Sequence, residues 1–182
     1  MPLTPFQDEV LRLIAENRSE QSHFAGGLLL NATSDSSRYS HDFDIFHEIA
    51  AEVARSSDRD AETLRGAGYT VEGVVGDWEG PTTFRKARVS RGGESLEIDW
   101  AADSAFRFFP VETDPLFGCR LHLFDMATNK ALALCARSET RDYVDIVELD
   151  RTFPLEATIW AACGKDPGFS PLFLLEMMRR FA

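Results

Sequence analysis

From Asp125 onward the hydrophobic period of this chain is helical throughout, and that change of texture limits the fold more than any other feature. Before it, "DFDIF" (42–46), "TVEGVVGDW" (70–78), "TTFRKARVS" (82–90) and "ESLEIDWAA" (94–102) alternate apolar and polar residues between Gly and Pro breaks. Period two bounded by turn residues is the signature of strands. After it, "DMATNKALALCARSETRDYVDIVELDR" (125–151), "PLEATIWAACGK" (154–165) and "SPLFLLEMMRRF" (170–181) read as helices with short breaks. The expected class is therefore α+β. Residues 1–124 form an α/β core with a mixed or largely antiparallel sheet, and 125–182 form a helical region packed on it as one compact unit.

The N-terminal part fills in this outline. "PFQDEVLRLIAENR" (5–18) carries an apolar stripe behind a Thr-Pro start, which predicts an amphipathic helix. "HFAGGLLLN" reads as a short strand running through two glycines into a small helix. Residues 47–67 read as a helix that stops at "GAGY". "SRGGES" is a hairpin turn.

Bulk properties exclude several classes. A net charge of −11 argues against broad, sequence-independent binding to a phosphate backbone, which needs clustered Lys and Arg. Cys119, Cys135 and Cys163 form no C-x-x-C pair and read as buried thiols of a reducing cytoplasm. The start of the chain carries no secretion signal, and no apolar run reaches membrane-spanning length, so a cytoplasmic protein without membrane partners is expected.

Chemistry concentrates in "SRYSHDFDIF" (37–46). Residues two apart on a strand share a face, so Ser40, Asp42 and Asp44 line one side while Tyr39, His41, Phe43 and Ile45 take the other. Side-by-side carboxylates repel unless a positive charge sits between them, and a divalent cation is one such charge. His41 and His47 have odd spacing from the aspartates and turn away, which disfavours zinc. "SLEIDW" likewise puts Leu96, Ile98 and Trp100 on a core face and Glu97 and Asp99 opposite. Asp99 becomes a third carboxylate if its strand neighbours the Asp-x-Asp strand, and otherwise it is a solvent-facing residue. Gly26-Gly27, at a strand-to-helix joint, permits close backbone approach to a phosphate. Lys130 reads as an exposed cation. Arg137, Arg141, Asp142 and Asp145, taken by themselves, read as a solvated helix flank. Trp78, Trp100 and Trp160 read as core or pocket lining.

Carboxylates, a Gly-Gly turn and a lysine are the parts that nucleotidyl transfer needs. "FAGGLLLN…SRYSHDFDIF" resembles the first motif of the AbiEii/AbiGii-type nucleotidyltransferase toxins, which opens with Gly-Gly or Gly-Ser and closes with Arg-x-Ser/Thr-x-Asp-x-Asp. "DMATNKALALCARSETRDYVDI" is similar to that family's Lys-then-Arg-Asp-x-x-Asp segment. The resemblance implies a DNA polymerase β-like nucleotidyltransferase core that uses Mg2+ (or Mn2+) and a nucleoside triphosphate. It implies metal ligands at Asp42 and Asp44, beside which the alternation of "SLEIDW" offers Asp99 as the third. Gly26, Gly27, Arg38 and Ser40 fall in its nucleotide-binding motif, Lys130 is its phosphate-binding cation, and Asp145 is the acidic residue of its last motif. Implied partners are a tRNA or protein acceptor and a cognate antitoxin. Two alternatives stand beside it: a small-molecule nucleotidyltransferase of the aminoglycoside-modifying kind, and a catalytically silent interaction module on the same fold.

Overall fold

The computed structural model describes residues 3–32, 40–75 and 82–181. The chain divides into two compact units, Met1–Ala105 with Val111–Leu121, and Phe106–Pro110 with His122–Ala182.

The first unit is built on a seven-stranded sheet. Its elements run α1 (Pro5–Ala15), β1 (Ser22–Ala25), α2 (Gly26–Asn31), β2 (Asp42–His47), α3 (Ala50–Gly66), β3 (Thr70–Val75), β4 (Phe84–Arg91), β5 (Glu94–Ala102), β6 (Glu112–Asp114) and β7 (Gly118–Arg120). The strand order is β3-β4-β5-β2-β1-β7-β6. The β2–β5 and β1–β7 pairs are parallel and the others antiparallel, so the sheet is mixed. The β4–β5 hairpin closes on Gly92 and Gly93, whose φ values of 63° and 88° are what a two-residue primed turn requires. The three-residue strands β6 and β7 are too short to show alternation, and the sequence reading missed them.

Alternation does its expected work on β2, β4 and β5. Phe43, Ile45, Ala87, Val89, Leu96, Ile98 and Trp100 are buried on one face, where α3 packs. Each large apolar side chain so buried contributes about 1.5–3 kcal/mol. A polar assembly around Asp60 penetrates this core. Arg18 reaches Asp60 on α3 at 2.5 and 2.7 Å, and Trp100 Nε1 donates to the same carboxylate at 2.8 Å. Asp60 is fully buried; burial pushes its carboxyl up, against the pull of Arg18.

Helix α1 starts with a reciprocal cap. The Gln7 N–H donates to Thr4 Oγ1 and the Thr4 N–H donates to Gln7 Oε1, both at 3.1 Å. The Gln7 amide nitrogen then donates to the Ser40 carbonyl at 2.7 Å. One side chain thus caps α1 and pins the chain two residues before β2.

The second unit holds α4 (Leu123–Arg137), α5 (Thr140–Leu149), α6 (Leu155–Lys165) and α7 (Pro171–Arg179). They surround Ala131, Leu134, Ile146, Ala162, Leu174 and Met177. Ser138, at φ 56° in the left-handed region, ends α4. Among the described residues no helix is long and apolar enough to cross a membrane. Two expectations need correction. Trp100 is core, but Trp160 is 78% exposed, while Trp78 lies outside the described residues. The three cysteines are free, and each is partly exposed rather than buried.

Candidate functional site

The parallel β2–β5 register places Asp42 opposite Glu97 and Asp44 opposite Asp99. The antiparallel β4–β5 register places Lys86 opposite Asp99 and Arg88 opposite Glu97. Residues in register across a sheet share a face, as do alternate residues along a strand. All six side chains therefore lie on the face opposite Phe43, Ile98 and Ala87. The condition set for Asp99 is met: its strand does neighbour the Asp-x-Asp strand.

Lys86 Nζ lies 3.0 Å from Asp99 Oδ1 and 3.1 Å from Glu97 Oε2, and Arg88 reaches Glu97 at 3.1 Å. Burial pushes the Asp99 carboxyl up; Lys86 opposes this, while the charges of Asp42 and Glu97 add to it. The Lys86 ammonium loses from burial but gains more from Asp99 and Glu97, and is held above its ordinary value. The sequence reading missed Lys86, although the alternation of "TTFRKARVS" sets it on this face.

Gly26 meets this carboxylate row at the end of β1. Its φ is 71°, a conformation disfavoured for residues with a β-carbon. A β-carbon there would fall 1.8 Å from Asp44 Oδ2. Only the hydrogen of glycine lets the backbone lie against that carboxylate. At Gly27 the nearest groups are Asn31 Nδ2 and Ser40 Oγ, both 3.7 Å from where a β-carbon would stand. Ser40 Oγ donates to the Asp42 carbonyl at 3.2 Å, a long bond that a phosphate oxygen could compete for. Arg38 lies outside the described residues.

The donor set is hard oxygen from two adjacent strands, the type that suits Mg2+ or Mn2+, which need few protein carboxylates and keep several waters. Among the described residues no group of three or more His, Cys, Asp or Glu side chains is placed to hold a metal ion, so a cation there would rest on fewer protein ligands and on water. His47 is buried on the opposite face, its ring nitrogens near Ser22 Oγ and the Ala101 carbonyl.

In the second unit, Lys130 is not the exposed cation that was expected. It is 6% exposed, with Nζ 3.2 Å from Asp142 and 2.8 Å from Asp145. Asp142 also takes two bonds from Arg137, at 2.7 and 2.8 Å. Burial raises the Asp142 carboxyl, but Arg137 and Lys130 outweigh it and hold the group below its ordinary value. Of the flank read as solvated, Asp142 and Asp145 are buried around Lys130, while Arg137 and Arg141 remain exposed as expected.

No family model matches the sequence, and no curated protein matches it. Solved structures similar in fold include two from Helicobacter pylori. The crystal structure of JHP933 from Helicobacter pylori aligns with a TM-score of 0.57 and 12% identity, over 96% of this chain and 91% of that one. That of a "putative nucleotidyltransferase from H. pylori" aligns with a TM-score of 0.57 and 12% identity, over 98% and 97%. At such identity the likeness speaks for fold. The chain has a nucleotidyltransferase-like α+β fold, with a mixed sheet and a helical C-terminal region.

Proposed function

We propose that this protein is a Mg2+-dependent nucleotidyltransferase of toxin–antitoxin type, moving a nucleoside monophosphate from a nucleoside triphosphate to a tRNA or protein acceptor. One observation carries the reading: Asp42, Asp44 and Asp99 share a sheet face on adjacent strands, with the Gly26 backbone against Asp44. Asp42 and Asp44 would hold the divalent cation, with the Asp99 carboxylate beside them on the neighbouring strand. Bound there, the cation supplies charge neutralisation for the triphosphate and the leaving pyrophosphate. The Gly26-Gly27 backbone and the Ser40 hydroxyl approach the phosphates. The acceptor's nucleophile forms its bond to the α-phosphorus as the α–β anhydride bond breaks.

The resemblance adds an antitoxin partner and gives Lys130 as a phosphate-binding cation with Asp145 as its acidic companion, a role for which Lys130 must first release its pairing with Asp142 and Asp145. A small-molecule acceptor is the second reading, favoured by the net charge of −11, since a tRNA acceptor calls for a basic surface.

The test uses each α-32P nucleoside triphosphate with Mg2+ and total RNA, total protein or aminoglycosides as acceptor. Label should pass to one acceptor class with the wild-type protein and not with Asp42→Asn. Absence of transfer to every class, together with absence of Mn2+ binding in titration calorimetry, would overturn the proposal in favour of a silent module.

A further inference from the structure

We infer that Lys86 is the built-in counter-ion of the carboxylate face, and that a divalent cation must compete with it for Asp99. The inference rests on the cation-site reading above and concerns how tightly that site binds.

Observations within one unit carry it. Asp99 has Asp44 as its neighbour on one side and Lys86 on the other. The Lys86 ammonium lies 3.0 Å from Asp99 Oδ1, within direct ion-pair range. The same ammonium also lies 3.1 Å from Glu97 Oε2. Glu97 in turn is held by Arg88. Both Lys86 and Asp99 are only 21% exposed, so the pair is screened less than a surface pair.

A carboxylate oxygen that faces an ammonium at 3.0 Å is not free to give its full charge to a metal ion. Two consequences follow. Without a cation, Lys86 offsets the repulsion among Asp42, Asp44 and Asp99 and stabilises the sheet. With a cation, that offset becomes redundant, and the positive charges of Lys86 and the ion repel. Lys86 therefore lowers cation affinity while supporting the cation-free fold. A lysine without such a role, making a plain surface pair, would move neither property.

The experiment measures Mn2+ affinity by titration calorimetry, and melting temperature with and without Mn2+, for wild type, Lys86→Met, Lys86→Gln and Lys86→Arg. Gln keeps an N–H donor for Asp99 and loses the charge; Arg keeps the charge. The expected result is an affinity gain of roughly tenfold or more for Met and Gln, and none for Arg. The melting temperature without Mn2+ should fall for Met and Gln, and saturating Mn2+ should restore it. If wild type binds Mn2+ but both neutral variants bind with equal or lower affinity, the inference fails and the site reading stands. If no variant and no wild-type protein binds Mn2+, both fail. Should Lys86→Met not fold, Lys86→Gln decides alone.

Discussion

Gly26 and Asp44 are in such close contact that no side chain fits between them: a β-carbon on the glycine would stand 1.8 Å from the carboxylate oxygen. This contact joins the strand-to-helix turn to the Asp-x-Asp strand, so the position of one fixes the other.

Gly26→Ala should therefore damage the site more than the fold. The left-handed backbone costs on the order of 1–2 kcal/mol with a β-carbon. Asp44 must also move, and a displacement near 1 Å costs roughly a hundredfold in rate. Nucleotide transfer and urea unfolding measured on one preparation check this. Equal transfer by the variant would detach Gly26 from function.

Lys130 should matter for stability, contrary to its reading as a solvent-exposed cation. Lys130→Ala removes a buried ammonium from Asp145 and one of the three bonds to Asp142, whose other two come from Arg137. Breaking such a pair from one side costs about 3–5 kcal/mol. Urea unfolding of Lys130→Ala and Lys130→Arg tests it, with a large loss expected for Ala. A loss below about 0.5 kcal/mol, the range of ordinary surface substitutions, would show the cluster to be energetically idle.

His47 should make the protein acid-sensitive. The ring is fully buried, and burial, followed by the nearby charge of Arg18, lowers its pKa from 6.5 to about 4. Its neutral form fits its partners, with one ring nitrogen donating to the Ala101 carbonyl at 3.3 Å and the other receiving the Ser22 hydroxyl at 3.1 Å. The unfolded chain then binds the extra proton first. This contribution to stability is complete above about pH 6.5, declines as pH falls towards 4, and changes no further below it. The full loss is roughly 3 kcal/mol. Chemical unfolding at pH 7 and pH 4.5 should show a smaller drop for His47→Gln than for wild type. An equal drop would remove His47 as the cause.

Much of this could be read from the residues because strands announce their faces. Phe43 and Ile45 against Asp42 and Asp44, and Ile98 and Trp100 against Glu97 and Asp99, follow from period two. Which strands pair, and in what register, did not follow. The Asp44–Asp99 neighbourhood is a parallel pairing reached across α3, β3 and β4, and no local pattern encodes it. Strands β6 and β7, three residues each, pair through backbone bonds and leave no side-chain rhythm. The burial of Lys130 was hidden for another reason. A lysine beside aspartates at helical spacing looks the same in water and in a packed bundle, and only the partner helix distinguishes them.

The same long parallel pairing has a kinetic side. Strands β4 and β5 meet across two glycines, whereas Asp44 finds Asp99 only after about 55 residues have looped back. Closing a long loop is entropically slower than zipping a hairpin. We expect pulsed hydrogen exchange during refolding to protect β4 and β5 before β2; simultaneous protection would count against this order. A chain that has folded only its hairpins thus holds Lys86 and Asp99 as a closed pair and has no place for a cation. The acidic cluster comes into being only when β2 joins β5, so its mutual repulsion is absent from the hairpin stage of folding.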